Sequence, residues 1–442
     1  MTLLRSRTFW IVVAALVIIA AVAAWIMLPP RALGFAGGGS VALADYQGPN
    51  PAGAPPELAS ADLIARGKYL TQAADCEVCH TAKEGTPFAG GLALPTQFGV
   101  IYTPNITADK DTGIGAWTDA QFMRAVRQGI DDQGQRLYPA MPYESFSLMT
   151  DADVLAIKAY LFSLPPVHAE IPDTKLKFPY NQRWLMAIWA ALYDPDQRFR
   201  PHPDRSPQWN RGAYLAEALA HCGDCHTPRN LAQALNNRQK FAGAVAEGWR
   251  AYNITADKSS GVGAWSDAAL IQYLREGHAD GHGSAGGPMS EVIEASLSRL
   301  TPGDVAALVA YLRSLPAHGT GDLPAPVAQP ASDMPKTIQA SFDPRGKQIF
   351  EGACAGCHSW SGVSLVNNYA TLTGDRAVND PSGVNVAQIV IAGEGRYMPA
   401  FGAAYSDTEI AAVANYVTAR FGGAGAHITA PDVAKLRKSS AY

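Results

Sequence analysis

Three copies of Cys-x-x-Cys-His account for all six cysteines of this 442-residue chain. They are Cys76-Glu-Val-Cys79-His80, Cys222-Gly-Asp-Cys225-His226 and Cys354-Ala-Gly-Cys357-His358. This spacing is the attachment signature of covalent haem. Two thiols add to the vinyl groups of one porphyrin, and the adjacent imidazole meets the iron from the same side. A thioredoxin-type pair needs no histidine after it, and a structural zinc site needs further ligands at zinc spacing. No thiol remains for a disulfide. The sequence therefore predicts three covalently bound haem c groups, attached at Cys76, Cys79, Cys222, Cys225, Cys354 and Cys357, with His80, His226 and His358 as iron ligands.

An iron that only carries electrons takes a sixth ligand, and methionine there raises the potential. Three of the nine methionines lie beside proline, after a haem motif and before the helix that follows it. They are Met141 in Tyr-Pro-Ala-Met-Pro, Met289 in Gly-Gly-Pro-Met and Met398 in Arg-Tyr-Met-Pro-Ala-Phe. A lone methionine is usually core filler, but three in register at such positions are expected to be ligands. Met149 competes for the first iron. His278 and His282 compete with Met289, although the first repeat has no histidine there.

Residues 8–28 carry no charge and would form a helix about 31 Å long, enough to cross a bilayer. Trp10 and Trp25 lie near its ends, where interfacial aromatics belong. Arg5 and Arg7 precede it and only Arg31 follows closely. The bias of basic residues puts the N-terminus in the cytoplasm and the haem motifs outside. A cleaved signal peptide is the rival reading. The apolar run is too long for one, and Ala42-Leu43-Ala44 lies far beyond it. The net charge of −4 offers nothing to nucleic acid.

The first two motifs sit in an internal duplication. The stretch Asn105-Ile-Thr-Ala-Asp-Lys through Asp119 repeats as Asn253-Ile-Thr-Ala-Asp-Lys through Asp267. A turn near each haem is the expected use of this repeat, rather than glycosylation of its Asn-Ile-Thr. Trp117 and Trp265 in the repeat either donate to propionates or pack as core. A helix with a capping pattern follows each motif, starting at Thr150, Thr301 and Ser406. Each carries a tyrosine on its apolar face: Tyr160, Tyr311 and Tyr416. A helix before each motif carries Gly67, Gly212 or Gly346, which would allow the two helices to cross closely.

These features together resemble the triple-haem cytochrome c subunit of membrane-bound periplasmic dehydrogenases, of the alcohol, aldehyde, gluconate and sorbitol types found in acetic acid bacteria and their relatives. The resemblance spans residues 60–422. It rests on the three motifs, the repeated Asn-Ile-Thr-x-Asp with Gly-x-Gly-x-Trp, Tyr-Pro-Ala-Met-Pro-Tyr at 138–143, Cys-His-Thr-Pro-Arg-Asn at 225–230 and Met-Pro-Ala-Phe at 398–401. It implies an all-α chain with three cytochrome c-like haem domains in series after one N-terminal transmembrane helix. The expected division is an anchor at 1–30, a linker at 31–60, and domain 1 at 61–165. An aromatic-rich connector at 166–205 leads to domain 2 at 206–318. A linker at 319–340, domain 3 at 341–422 and a loose tail at 423–442 complete it.

The resemblance also implies partners: a periplasmic dehydrogenase large subunit, with or without a small iron–sulfur subunit, and ubiquinone as electron acceptor in the bacterial inner membrane. The retained anchor and the Gly286-Gly287-Pro288-Met289 pattern favour an aldehyde dehydrogenase by analogy. A cytochrome donating to a terminal oxidase shares the same features. No catalytic set stands apart from the haem ligands, so the chain is expected to relay electrons rather than oxidise substrate. Within the connector, Trp184, Ile188 and Trp189 lie at helical spacing. That helix is either buried between domains or lies on the membrane.

Overall fold

The computed structural model describes residues 7–439 apart from 195, 247, 321–342, 395–396 and 424. Helix α1 (Arg7–Met27) is the apolar N-terminal segment, and none of its Trp10–Met27 stretch is buried against the rest of the chain. The helices that frame the haem motifs follow as three pairs. They are α2 (Leu63–Ala73) with α3 (Asp151–Ser163), α5 (Pro207–Tyr214) with α6 (Pro302–Arg313), and α7 (Pro344–Ile349) with α8 (Asp407–Phe421). Helix α4 (Leu185–Tyr193) lies between the first two pairs, and α9 (Ala430–Ser439) closes the chain.

Each pair crosses at its glycine. A Cβ on Gly67 would lie 1.9 Å from the Ala156 carbonyl oxygen, one on Gly212 1.9 Å from Ala307 O, and one on Gly346 2.2 Å from Ala412 O. The same hypothetical atoms would meet Cβ of Tyr160, Tyr311 and Tyr416 at 3.0, 2.8 and 3.0 Å. Only a residue without a side chain lets backbone reach backbone this closely. The glycines and tyrosines expected to meet do so in all three pairs.

The expected all-α class is wrong. Among the described residues, seven short strands form three antiparallel sheets. The first joins β1 (Ala93–Thr96), β2 (Gly99–Tyr102) and β3 (Lys175–Leu176). The second pairs β4 (Ala244–Ala246) with β5 (Trp249–Ala251), and the third pairs β6 (His278–Ala279) with β7 (Gly283–Ser284). The physical reason is local. Val100-Ile101-Tyr102 is β-favouring. Gly99, at φ +138°, admits the Lys175 carbonyl to a place where a Cβ would lie 2.1 Å away. Strands of two to four residues are too short to show an alternating pattern.

The tail is not loose. Val433 of α9 is fully buried, and Arg437 donates to Asp407 Oδ1 at 2.7 Å and to the Tyr405 carbonyl at 2.8 Å. The linker expected at 319–340 lies outside the described residues from 321 onward. The connector helix α4 turns Trp189 inward while leaving Trp184 and Ile188 63% and 54% exposed, so the three do not share one face.

The duplicated units dock by exchanging tyrosines. Tyr69 of α2 donates to Asp304 Oδ2 at 2.6 Å, and its oxygen accepts from the Thr301 N–H. Reciprocally, Tyr214 of α5 donates to Asp153, and its oxygen accepts from Thr150 N–H. Burial and the Asp304 carboxylate raise the Tyr69 phenol above its ordinary range, so it stays a donor. Thr150, Thr301 and Ser406 cap their helices as expected. Only Ser406 has the full reciprocal box, with Glu409. In the other two helices the third residue is an aspartate, which serves the neighbouring unit instead.

Arg211 completes the joint. It grips both oxygens of Asp304 at 2.8 and 2.6 Å, and it reaches the carbonyls of Pro51 and Gly53 at 2.8 Å each. Asp304→Ala is expected to cost about 3–5 kcal/mol, because it removes a buried carboxylate that pairs the largely enclosed Arg211 guanidinium and accepts from Tyr69. A large fall in melting temperature checks this. A fall no greater than that for exposed Asp267→Ala would show that the joint contributes little.

Candidate haem sites

Each motif forms a single helical turn: Cys76–Cys79, Gly223–His226 and Ala355–His358. None of the six cysteines is in a disulfide. Burial pushes the Cys76 and Cys222 thiols up to about 12 and Cys354 up to about 11. Sulfur held neutral and away from water suits a thioether.

The histidines carry the clearest signal. His80 Nδ1 lies 2.8 Å from the Pro104 carbonyl, His226 Nδ1 2.6 Å from Tyr252 O, and His358 Nδ1 2.7 Å from Ala370 O. A carbonyl can only accept, so Nδ1 carries the proton and Nε2 keeps its lone pair. This is the tautomer in which a metal-bound imidazole is held by its outer-shell partner. Burial lowers the basicity of all three rings, which keeps them neutral. The donor set therefore fits haem iron at each motif: a neutral, oriented imidazole with two cysteines within one helical turn.

The duplicated loop explains how two of those carbonyls are fixed. Pro104 and Tyr252 immediately precede Asn105 and Asn253. Asn105, 2% exposed, accepts from Thr107 N–H and Oγ1 and donates to Val167 O at 2.7 Å. Asn253, 3% exposed, accepts from Thr255 N–H and Oγ1 and donates to His318 O at 2.6 Å. Both asparagines are turn anchors rather than glycan acceptors. In the third unit Asn367 Oδ1 accepts from the Ala370 N–H at 3.1 Å and shapes the equivalent turn. The sequence pointed to a turn near the haem but not to its role in aiming the histidine. The signal available was the position of each asparagine beside a carbonyl. Asn253→Ala is expected to cost about 1–3 kcal/mol by leaving buried amides unpaired. Thermal melting would detect it, and an unchanged melt would refute the anchoring role.

Met141 and Met289 pack against the same buried core as Cys76 and Cys222, and Met398 packs against the core that Cys354 touches. Met149 is only 1% exposed inside that first core. Met123 accepts from Arg127 at 3.6 Å. Both nitrogens of His278 are engaged, by Ser284 Oγ at 2.9 Å and Asp280 Oδ1 at 3.3 Å. His282 stacks on Trp265 with ring centroids 3.8 Å apart. Trp117 lies against the core.

The motifs are not isolated from one another. Ser145, four residues after Met141, donates to Asp224 inside the second motif at 3.1 Å. Glu77 inside the first motif pairs with Arg299 of the second unit at 3.8 Å. The third unit grips the Met289 segment: Glu394 accepts from Gly287 N–H at 2.9 Å and from Ser290 Oγ at 3.3 Å. Arg376 also donates to the Gly261 carbonyl and lies 5.2 Å from the Tyr252 ring, whose backbone holds His226.

Comparison with known proteins bears on this geometry. Residues 64–165 match the family model described as cytochrome c, and residues 343–417 match that of cytochrome c oxidase, cbb3-type, subunit III. The chain is 38% identical to the gluconate 2-dehydrogenase cytochrome c subunit of Pantoea cypripedii, covering 85% of this chain and 90% of that one. It is 38% identical to the fructose dehydrogenase cytochrome subunit of Gluconobacter japonicus, covering 86% and 84%. A nicotinate dehydrogenase component of Pseudomonas putida is 40% identical over 82% of this chain, a match that spans only 30% of that much longer protein.

Proposed function

Since the chain belongs to the family of dehydrogenase cytochrome c subunits, we propose that it carries electrons from a catalytic dehydrogenase subunit through three covalent haems to ubiquinone. The observation that supports this most is the triple repetition of one imidazole geometry, with Nδ1 held by a carbonyl and Nε2 presented. Haem bound there supplies one-electron redox chemistry. The protein's own residues orient the imidazoles, keep them neutral and tie the units together so that the sites hold fixed places.

Met141, Met289 and Met398 are the proposed sixth ligands. Residues 206–318 contain Met289 as their single methionine, and residues 341–442 contain only Met398. In the first unit Met149 is sealed in the core and Met123 is occupied by Arg127, which leaves Met141. Helix α1 is the proposed inner-membrane anchor, with the haem units, close to 61–165, 206–318 and 341–422, in the periplasm. The partner is proposed to oxidise an aldehyde on the anchor and the second-unit sequence pattern. The relatives above are named for gluconate, fructose and nicotinate.

The test uses membranes carrying the whole complex. With this chain deleted, the catalytic subunit should still reduce a soluble artificial acceptor, while substrate-driven quinone reduction is lost. Quinone reduction that persists, or substrate oxidation by this chain alone, would refute the relay. The match of residues 343–417 to an oxidase subunit supports a second reading, donation to a terminal oxidase. That reading requires electron flow to stop when the oxidase is removed, even with quinone present.

A further inference from the structure

The C-terminal end of α1 is fastened to the loop that follows His226. Asn230 donates to the Met27 carbonyl at 2.9 Å, Arg238 to Leu28 O at 3.1 Å, and Asn237 to Pro30 O at 3.0 Å. The Arg238 guanidinium also lies 4.5 Å from the Trp25 ring centroid. Asn230 and Arg238 satisfy carbonyls that a helix end leaves without partners, and Asn237 holds the chain just beyond it.

Helix α4 packs on the same loop. Trp189 donates from its indole to Ala232 O at 2.8 Å, and Trp189, Ala190 and Tyr193 are buried with Ala234. The opposite face carries Trp184, Ile188 and Leu192, spaced by four, at 63%, 54% and 56% exposure. Leu231, at the tip of the loop itself, is 86% exposed, and Phe178 just upstream is 79% exposed. A row of large exposed apolar side chains along one helix face marks an interaction surface rather than ordinary scatter. Residues 174–193 hold Lys175, Lys177 and Arg183 and no acidic residue. An apolar helix face with an exposed aromatic at one end, preceded in the chain by basic residues, fits a helix lying at lipid headgroup depth.

We propose that α4 and the 230–238 loop form a lipid-binding face that lies in the headgroup layer of the bilayer, continuous with the end of α1. The occupant of this face is lipid, with anionic headgroups favoured by the exposed Lys175 and Lys177. The face holds the second haem motif against the membrane, because the loop that carries it begins at His226. This rests on the reading of α1 as a membrane-spanning anchor.

The experiment places p-benzoylphenylalanine at one position at a time in the full complex in membrane vesicles. The positions are Ile188 on the proposed face, Ile18 within α1, and Leu365, which is 92% exposed on the third unit. Haem staining confirms that each variant is intact. After illumination, mass spectrometry should find lipid adducts at 188 and 18 and none at 365. Lipid at 18 with a protein adduct or no adduct at 188 would overturn this inference and leave the anchor standing. No lipid at either 18 or 188 would overturn both. Lipid at all three positions would remove the claim of a specific face.

Discussion

Gly212→Val is expected to dismantle the second unit. At the α5–α6 crossing a Cβ would sit 1.9 Å from the Ala307 carbonyl oxygen and 2.8 Å from Tyr311 Cβ. Neither neighbour can yield cheaply. One is helix backbone, and Tyr311 is fully buried, with its hydroxyl donating to the buried Glu217. Relief from glycine's poor helix propensity is worth at most about 1 kcal/mol. Overpacking a well-filled core costs about 1–3 kcal/mol and more where backbone must move, so the clash wins. The variant should melt far below the parent protein. Gly352→Ala is the control, since a Cβ there meets nothing within 4 Å. It should be neutral or slightly stabilising. Equal melting of the two variants would refute the crossing as the point that fixes the fold.

Met398→Ala is expected to change the third haem alone. No other methionine lies between residues 341 and 442, so no second thioether from that unit can replace it. Loss of a thioether ligand lowers the potential and opens the iron to external ligands. One of three redox transitions should therefore move to lower potential, carbon monoxide should bind one equivalent, and the covalent haem count should stay the same. Met149→Leu is the contrast, because it preserves volume at a core position that is 1% exposed. It should leave all three transitions in place and cost less than about 1.5 kcal/mol. Three unmoved transitions in Met398→Ala would show that the ligand is another residue.

The parts of this molecule that were legible in the sequence share a property. Each is local or repeated. The haem motifs are contiguous, the capping residues stand three positions from their partners, and Gly67, Gly212 and Gly346 recur eight to ten residues before each motif. What the sequence hid depends on residues far apart in the chain. Asp153 and Asp304 read as helix caps, yet their carboxylates bind Tyr214 and Tyr69 of the other unit. Nothing in the spacing of Pro104 or Tyr252 announces that its carbonyl will aim a histidine. The strands of the hairpins around Gly99 and Gly283 are two to four residues long, below the length at which alternation can be seen. Helix α9 is short and highly charged, and it holds its place through Val433 and the reach of Arg437 to Asp407. Within the apolar stretch at 178–193, the spacing of Trp184, Ile188 and Trp189 made a helix legible, and it runs over Leu185–Tyr193. Its division into a buried Trp189 side and an exposed Trp184 side required the loop at 230–234.

An electron relay of this kind requires every motif to hold its own haem. The most direct measurement is the intact mass of the purified chain under denaturing conditions, where only covalent groups remain. The predicted result is the mass of the polypeptide plus three haem groups, with no thiol left for alkylation. A mass corresponding to two haems or fewer, or cysteines recovered as alkylated thiols or disulfides, would contradict it.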